Sequence, residues 1–112
     1  MRPLSQLDET DCITRAQRGE AAAFSELVAR YQGRIYRYLL RMTRSQEDAR
    51  ELTQETFLNA YQALARWRPD ARLSSWLFRI AHNQALDRLR RARRVEFVAL
   101  DEVQADRIPA AT

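Results

Sequence analysis

The 112-residue sequence contains no lysine, two glycines, three prolines, one histidine and one cysteine, and these shortages exclude several classes of protein. Scarce glycine and proline argue against an all-β fold, whose strands need frequent turns. One cysteine and one histidine exclude an internal disulfide and a zinc site built from such ligands. No apolar stretch approaches the ~20 residues that span a bilayer, and the N-terminus lacks a signal peptide's apolar core. We therefore expect a cytoplasmic protein without membrane insertion or a bound cofactor.

The chain is instead rich in alanine, leucine, arginine, glutamine and glutamate, which favour helix. Apolar residues between positions 24 and 42 recur at steps of three and four, which indicates one buried stripe on a long helix. The pattern predicts an all-α fold, a compact bundle of three main helices plus one short N-terminal helix. The expected helices are residues 8–18, 20 to about 43, the Ser45 cap to about 66, and 73–75 to about 94.

Local signals set the expected helix limits. Ser45 followed by acids is typical of a helix N-terminus, and Ser74 or Ser75 is expected to cap the last helix. Pro69 lacks an N–H and keeps the residue before it out of helix, so a loop separates the third and fourth helices. Gly33 interrupts the stripe of the second helix, which indicates a bend or a close helix crossing.

The two ends of the chain carry weaker patterns. Residues 1–6 are predicted to be a frayed start. Apolar periodicity is lost after residue 94, so residues 1–94 are assigned to one domain and residues 95–112 to an interdomain linker or disordered tail.

Positive charge is concentrated in the C-terminal half. All 19 basic residues are arginine, which suits phosphate and base recognition, although codon bias in a GC-rich genome explains the absence of lysine equally well. Residues 66–94 hold nine arginines against two aspartates, a net charge of +7, while the whole chain carries +4. The remainder therefore carries −3, and this asymmetry predicts two surfaces with different partners.

No residue pattern indicates catalysis. The lone His82 has no cysteine at a metal-binding spacing and no nucleophile beside it, so we interpret it as an ordinary helix-face residue. No glycine-rich phosphate loop is present. We predict that the chain is not an enzyme.

The first candidate site is an acidic face of the third helix, which we call the acidic ridge. By composition alone such a face is ordinary solvated surface. Its functional interpretation is a docking surface for a basic partner helix, in which charges steer the encounter and apolar side chains add affinity. Its residues are Glu47, Glu51, Gln54, Glu55 and Leu58.

The second candidate site lies on the loop and fourth helix, where arginine alternates with tryptophan, serine and asparagine. This mixture suits single-stranded nucleic acid, because arginine neutralises phosphates, aromatic rings stack on bases and amides read base edges. The alternative places Trp76 in the core and the arginine run in solvent. The candidate residues, which we call the arginine–tryptophan surface, are Trp67, Arg68, Asp70, Arg72, Ser74, Ser75, Trp76, Arg79, Asn83, Arg88, Arg90 and Arg91.

Three motifs together resemble region 2 of the sigma-70 family, in its extracytoplasmic-function (ECF) group. The resemblance covers roughly residues 11–94, and the three motifs occur in the family's order and spacing. The second motif is similar to the family's core-binding pattern A-E-D-L-x-Q-E-x-F, although Arg50 replaces the usual acid. The motifs are R-G-E at 18–20 with A-F at 23–24 and Leu27, A-R-E-L-T-Q-E-T-F-L at 49–58, and W-L-F-R-I-A-H-N at 76–83 with D-R at 87–88 and R-R at 90–91.

This resemblance implies a sigma factor domain and its partners. Glu51, Gln54 and Glu55 fall where family members bind the clamp helices of the β′ subunit of RNA polymerase. Residues 67–75 fall on the loop that holds a flipped base of the single-stranded −10 promoter element, although Pro69 stands where glycine is common.

The resemblance also implies an upstream DNA contact, a protein regulator and a second domain. Arg79 and Asn83 fall on the helix that approaches the upstream end of the −10 element. An anti-sigma factor is a further implied partner, and the alternative interpretation makes such a regulator the main contact of a helical interaction module. The −35-binding domain that usually follows is not in this sequence.

Overall fold

The computed structural model describes residues 2–68 and 71–107, with side chains described up to residue 100. All regular structure in these residues is helical, as predicted, and we number the α-helices in chain order. They are a short 3-10 helix at Leu4–Gln6, α1 at Glu9–Gln17, α2 at Ala21–Thr43, α3 at Gln46–Leu64 and α4 at Leu73–Arg107. Among the helices of residues 2–68 and 71–107, none contains an apolar stretch that could span a lipid bilayer.

Helix α2 is the centre of the bundle and packs against α1, α3 and α4. Its buried residues recur every four positions, so they form one continuous stripe, as the sequence predicted. Leu52 and Leu64 of α3 and Leu77 of α4 complete the core around this stripe. The stripe consists of Ala23, Leu27, Tyr31, Ile35 and Leu39.

Alanines bring α4 close to its neighbours. Ala81 and Ala85, one turn apart, are both fully buried, as is Ala49 on α3. Small side chains allow two helix backbones to approach closely, so these positions fix how α4 lies on the bundle. The last turns of α4 then extend beyond the core, where every residue from Arg90 to Leu100 is exposed.

The N-terminal segment is more ordered than predicted. Residues 4–6 form a 3-10 turn instead of a frayed start. The Arg30 side chain on α2 donates hydrogen bonds to the carbonyls of Leu4 (3.0 Å) and Leu7 (2.7 Å), which ties this turn to the bundle. Cys12 of α1 is fully buried beside it, and burial raises the pKa of its thiol.

The helix-limit predictions are partly confirmed. Ser45 caps α3, because its hydroxyl accepts a hydrogen bond from the Asp48 N–H at 3.2 Å. The cap predicted at Ser74 or Ser75 is wrong, since α4 begins at Leu73 and both serines lie within its first turn. Of the two alternatives predicted at Gly33, the close helix crossing is wrong, because a Cβ there would meet only the Arg37 side chain, at 3.4 Å, and the bend stays a prediction.

The predicted end of the last helix near residue 94 is wrong, because α4 continues to Arg107. Loss of an apolar stripe removes a packing face but does not itself stop a helix, and residues 95–107 contain no glycine or proline. Val95 and Phe97 are each 70% exposed along this continuation. The assignment of residues 95–112 to an interdomain linker or tail stays a prediction, and residues 108–112 lie outside the described part.

The stripe of α2 yields a stability prediction. Leu39→Ala removes a fully buried side chain and should lower the free energy of unfolding by about 2–5 kcal/mol. The measurement is urea unfolding followed by far-UV circular dichroism. Leu58→Ala is the matched control, because Leu58 is 57% exposed and its loss should change stability by less than about 0.5 kcal/mol. Equal losses in the two variants would contradict the assignment of the core.

Candidate protein and nucleic-acid interfaces

All five residues of the acidic ridge lie together on the exposed side of α3. Each of them is exposed to solvent, and Leu58 is exposed over 57% of its surface. Their spacing of three and four residues forms one stripe along the helix. The structure therefore presents four polar or charged side chains and one apolar side chain to solvent.

A groove between α2 and α3 borders one side of the ridge. It has a volume of about 450 Å³ and includes Gln54 of the ridge. Next to this groove Leu58 and the 56% exposed Tyr61 form an apolar edge, and the Tyr61 ring meets Phe24 edge to face with centroids 5.0 Å apart. Sequence reasoning missed Tyr61, although its spacing from Gln54 and Leu58 continues the same helix face. The groove is lined by Gln32, Gly33, Tyr36, Arg50, Thr53 and Gln54.

Arg88 of α4 borders the other side of the ridge. Its guanidinium donates to Glu51 at 2.8 Å and to Glu55 at 3.0 Å, and lies 3.5 Å from the Asp48 carboxylate. These three acids occupy one side of α3 over about two turns, so one arginine spans them all. Arg88, predicted from the sequence as a nucleic-acid contact, thus lies among the carboxylates of α3.

This cluster keeps Arg88 firmly cationic. Burial alone lowers the pKa of the Arg88 guanidinium, but the hydrogen bond to Glu51 and the charge of Glu55 outweigh burial and raise that pKa above its ordinary value. The Arg88 side chain is 28% exposed, whereas Glu51 and Glu55 are about half exposed at 53% and 50%. The acids therefore keep surface for a second cation.

A polar contact one turn before Arg88 on α4 also joins α3 and α4. The fully buried Thr56 donates its hydroxyl proton to the Leu52 carbonyl at 2.7 Å and lies 3.0 Å from the Gln84 amide oxygen. The Gln84 amide nitrogen donates in turn to the Glu55 carbonyl at 3.4 Å. Gln84 and Arg88 thus form a polar line along α4 that faces α3 and holds Glu55 at its backbone and at its carboxylate.

The two tryptophans of the arginine–tryptophan surface contact each other. The rings of Trp67 and Trp76 are half-buried against the core, with centroids 5.6 Å apart and planes tilted by 36°. The Trp76 ring is thus neither fully buried in the core nor fully exposed to solvent. The Gln17 side chain of α1 donates to the carbonyls of Leu64 (3.1 Å) and Trp67 (2.9 Å), so α1 fixes the start of the loop. Pro69 and the predicted DNA contact Asp70 lie outside the described residues.

The remaining predicted nucleic-acid contacts line the loop end and the outer side of α4. Ser74 is half-buried, and Arg91 is 70% exposed while pairing with Asp87 of its own helix. Cationic and amide side chains therefore occur together on accessible surface of the loop end and α4. The exposed members are Arg68, Arg72, Ser75, Arg79, Asn83, Arg90 and Arg91.

His82 has a structural contact. Its Nδ1 atom lies 2.6 Å from the Tyr38 hydroxyl, and the Tyr38 ring meets Phe78 edge to face with centroids 5.3 Å apart. The half-buried imidazole therefore joins α4 to α2 from a helix face, as predicted. Within residues 2–68 and 71–100, no group of three or more histidine, cysteine or acidic side chains could hold a metal ion.

Comparison with known proteins identifies related sequences. The family model for sigma-70 region 2 matches residues 27–95. RNA polymerase sigma-H factor of Pseudomonas aeruginosa is 38% identical over 86 residues, which cover 77% of this chain and 45% of that protein. ECF RNA polymerase sigma factor SigE of Mycolicibacterium smegmatis is 39% identical over 95 residues, which cover 82% of this chain and 36% of that protein. The chain thus spans less than half the length of these two relatives.

Two solved structures share the fold. One is an engineered region 2 of sigmaE, determined by NMR in complex with GTAAAA; it has a TM-score of 0.73 and 37% identity, covering 81% of this chain and 96% of that one. The other is CnrH in complex with the cytosolic domain of CnrY; it has a TM-score of 0.67 and 32% identity, covering 81% of this chain and 60% of that one. The first neighbour is thus matched over nearly its whole length.

The loop anchor yields a prediction for tryptophan fluorescence. In a Trp76→Phe background Trp67 is the sole tryptophan, and Gln17→Ala removes the amide that holds the Trp67 carbonyl. We expect red-shifted emission and stronger acrylamide quenching, together with a loss of about 1 kcal/mol of stability. Gln62→Ala, at an exposed α3 position, is the control and should leave the emission, the quenching and the stability unchanged. Equal quenching in the two variants would show that Gln17 does not hold the loop.

Proposed function

The chain belongs to the sigma-70 family, with its match in region 2, and from this membership we propose that it binds RNA polymerase and opened promoter DNA as the region 2 domain of an ECF sigma factor. Sigma factors are transcription initiation factors and not enzymes, in agreement with the sequence-based prediction. The proposed role is to direct polymerase to promoters, in the cytoplasm, while polymerase supplies the catalysis.

The acidic ridge is the proposed polymerase-binding surface. Exposed Glu47, Glu51 and Glu55 suit a basic partner helix, and the apolar edge at Leu58 and Tyr61 offers surface that such a helix can desolvate. The partner we propose is the pair of clamp helices of the β′ subunit. Charge would orient the encounter, and burial of the apolar edge would supply most of the affinity.

The arginine–tryptophan surface is the proposed binding site for the single-stranded −10 element. The observation that carries this proposal is the likeness to a sigmaE region 2 domain solved with GTAAAA, which is matched over 96% of its length. The exposed side chains of this surface are those that single-stranded DNA requires: arginines for phosphates, and Asn83 and Ser75 for base edges.

Promoter opening would proceed by capture of one base. The loop at residues 67–75 would hold a flipped base of the non-template strand beside the Trp67–Trp76 pair. Binding of that base offsets the few kcal/mol lost when it is unstacked and unpaired. Arg79 and Asn83 would contact the upstream end of the element, and the Arg90–Arg91 run would lie along phosphates. No covalent step is needed.

A protein regulator is the second candidate partner. CnrH, which shares this fold, was solved with the cytosolic domain of CnrY. The groove between α2 and α3, with exposed Leu58 and Tyr61 at its edge, would accept an apolar helix of an anti-sigma factor. Such a regulator would cover the surface proposed for polymerase, so binding of the two should be mutually exclusive.

Titration of labelled oligonucleotides tests the DNA-binding proposal. We expect the domain with core polymerase to bind a non-template −10 strand containing GTAAAA more tightly than the same sequence as duplex, because only the single strand exposes its bases. The measurement is fluorescence anisotropy with and without core polymerase, with a scrambled single strand as the control. RNA bound better than DNA in both conditions would refute the proposal.

Charge reversal on the ridge tests the polymerase-binding proposal. Glu55→Arg should abolish retention of the β′ subunit in a pull-down, because a cation would then face the basic partner. Circular dichroism should show an unchanged fold, since Glu55 is exposed. Asp11→Arg, the same change at an exposed position of α1, is the control and should retain β′. Unchanged retention by Glu55→Arg would remove the ridge from the proposal.

A further inference from the structure

Arg88 is the residue at which the two proposed surfaces meet. It belongs by sequence to the arginine–tryptophan surface, yet its guanidinium contacts Glu51 and Glu55 of the acidic ridge. By contrast, Arg91, one turn later, pairs with Asp87 of its own helix. A single side chain thus connects the surface proposed for a protein to the surface proposed for DNA.

We propose that Arg88 is an internal counter-ion of the acidic ridge that couples polymerase binding to DNA binding; the proposal rests on the function proposed above. Without a partner, one guanidinium neutralises part of the charge of Asp48, Glu51 and Glu55, which leaves a local charge of −2. A cation of a partner helix would compete with Arg88 for the same carboxylate oxygens, because two cations at one carboxylate repel each other.

The exposure of the cluster makes this exchange feasible. Glu51 and Glu55 are half exposed, so a second cation can reach them while Arg88 is still bound. Ion pairs this exposed to solvent are weak, so a partner that supplies its own cation can replace them at little net cost. A deeply buried ion pair could not exchange in this way, because removal of one partner leaves an unpaired buried charge.

Displacement frees a cation on the helix that carries the proposed DNA contacts. Arg88 lies one turn before Arg91 on the same side of α4, next to the Arg90–Arg91 run proposed to follow phosphates. A released guanidinium at this position adds one phosphate contact. Coupling between two binding events is reciprocal, so DNA that draws Arg88 away from α3 also leaves the ridge more negative for polymerase. Each partner should therefore tighten the binding of the other.

Arg88→Ala separates this role from the alternatives. Without its counter-ion the ridge should bind core polymerase about two- to five-fold more tightly, the range expected for exposed ion pairs. The same variant in complex with polymerase should bind the −10 single strand more weakly. Opposite effects on the two affinities are the signature of a shared residue, whereas a residue needed only for folding would weaken both. Thermal melting of each variant should confirm that it is folded.

Arg91→Ala is the matched control for charge. It removes the same charge from the same helix, but its ion pair does not reach α3. We expect weaker binding of DNA and unchanged binding of polymerase. Tighter polymerase binding in both variants would attribute the effect to net charge and would overturn the proposal.

A second pair of variants tests the exchange from the side of the ridge. Glu55→Gln should release Arg88 in part and tighten binding of the −10 single strand, measured at low salt without polymerase. Glu47→Gln removes the same charge from the ridge without touching Arg88 and should produce a smaller gain. In an Arg88→Ala background the two substitutions should become equivalent. Equal gains in the wild-type background would overturn the proposal.

The remaining outcomes are also decisive. Weaker polymerase binding by Arg88→Ala would mean that Arg88 orients the acids and stays paired in the complex, which contradicts the exchange. Unchanged polymerase binding would mean that the two surfaces are independent, which also contradicts it. If the wild-type chain binds neither polymerase nor the oligonucleotide, the proposed function fails and this inference fails with it. Binding by the wild type without opposite effects in Arg88→Ala rejects the inference alone.

Discussion

The packing of α4 across α3 is the constraint on which both candidate surfaces depend. Fully buried Ala81 and Ala85 bring α4 close to the bundle, and the polar line of Gln84 and Arg88 fixes its rotation against α3. With this rotation the acids of α3 stay accessible and Arg79 and Asn83 of α4 face outward. A rotation of α4 by one residue, about 100°, would turn Gln84 and Arg88 away from α3, so Glu51 and Glu55 would lose their counter-ion.

Features set by local sequence could be predicted, because their causes lie within a few residues. The Ser45 cap depends on a hydroxyl three residues before the N–H that it binds, and the stripe from Leu27 to Leu39 depends only on helix periodicity. The exposure of the acidic ridge follows in the same way, since the opposite side of α3 carries the apolar residues. Periodicity alone did not say what the acidic ridge and the arginine–tryptophan surface bind. The family resemblance supplied the expected partner of each surface.

Features set by the relative placement of helices could not be predicted. Five arginines follow Asp87 within seven residues, and only the offset of α4 along α3 decides that Arg88 is the one that reaches Glu51 and Glu55. Gln17 holding the Trp67 carbonyl joins residues 50 positions apart. The end of α4 was misjudged for a different reason: its packed first turns supply the helix nucleus, and each further residue then adds one backbone hydrogen bond without a new nucleation cost.

The uninterrupted course of α4 has a mechanical consequence. At 1.5 Å per residue its 35 residues form a rod about 50 Å long that starts beside the two tryptophans and passes the carboxylates of α3 on its way to Arg107. A tilt of about 10° near Arg88, where the packed part ends, would move the far end of the helix, about 28 Å away, by about 5 Å. The part of α4 that leaves the bundle is therefore a lever: a small change in its direction near Arg88 becomes a displacement of several ångström at its far end.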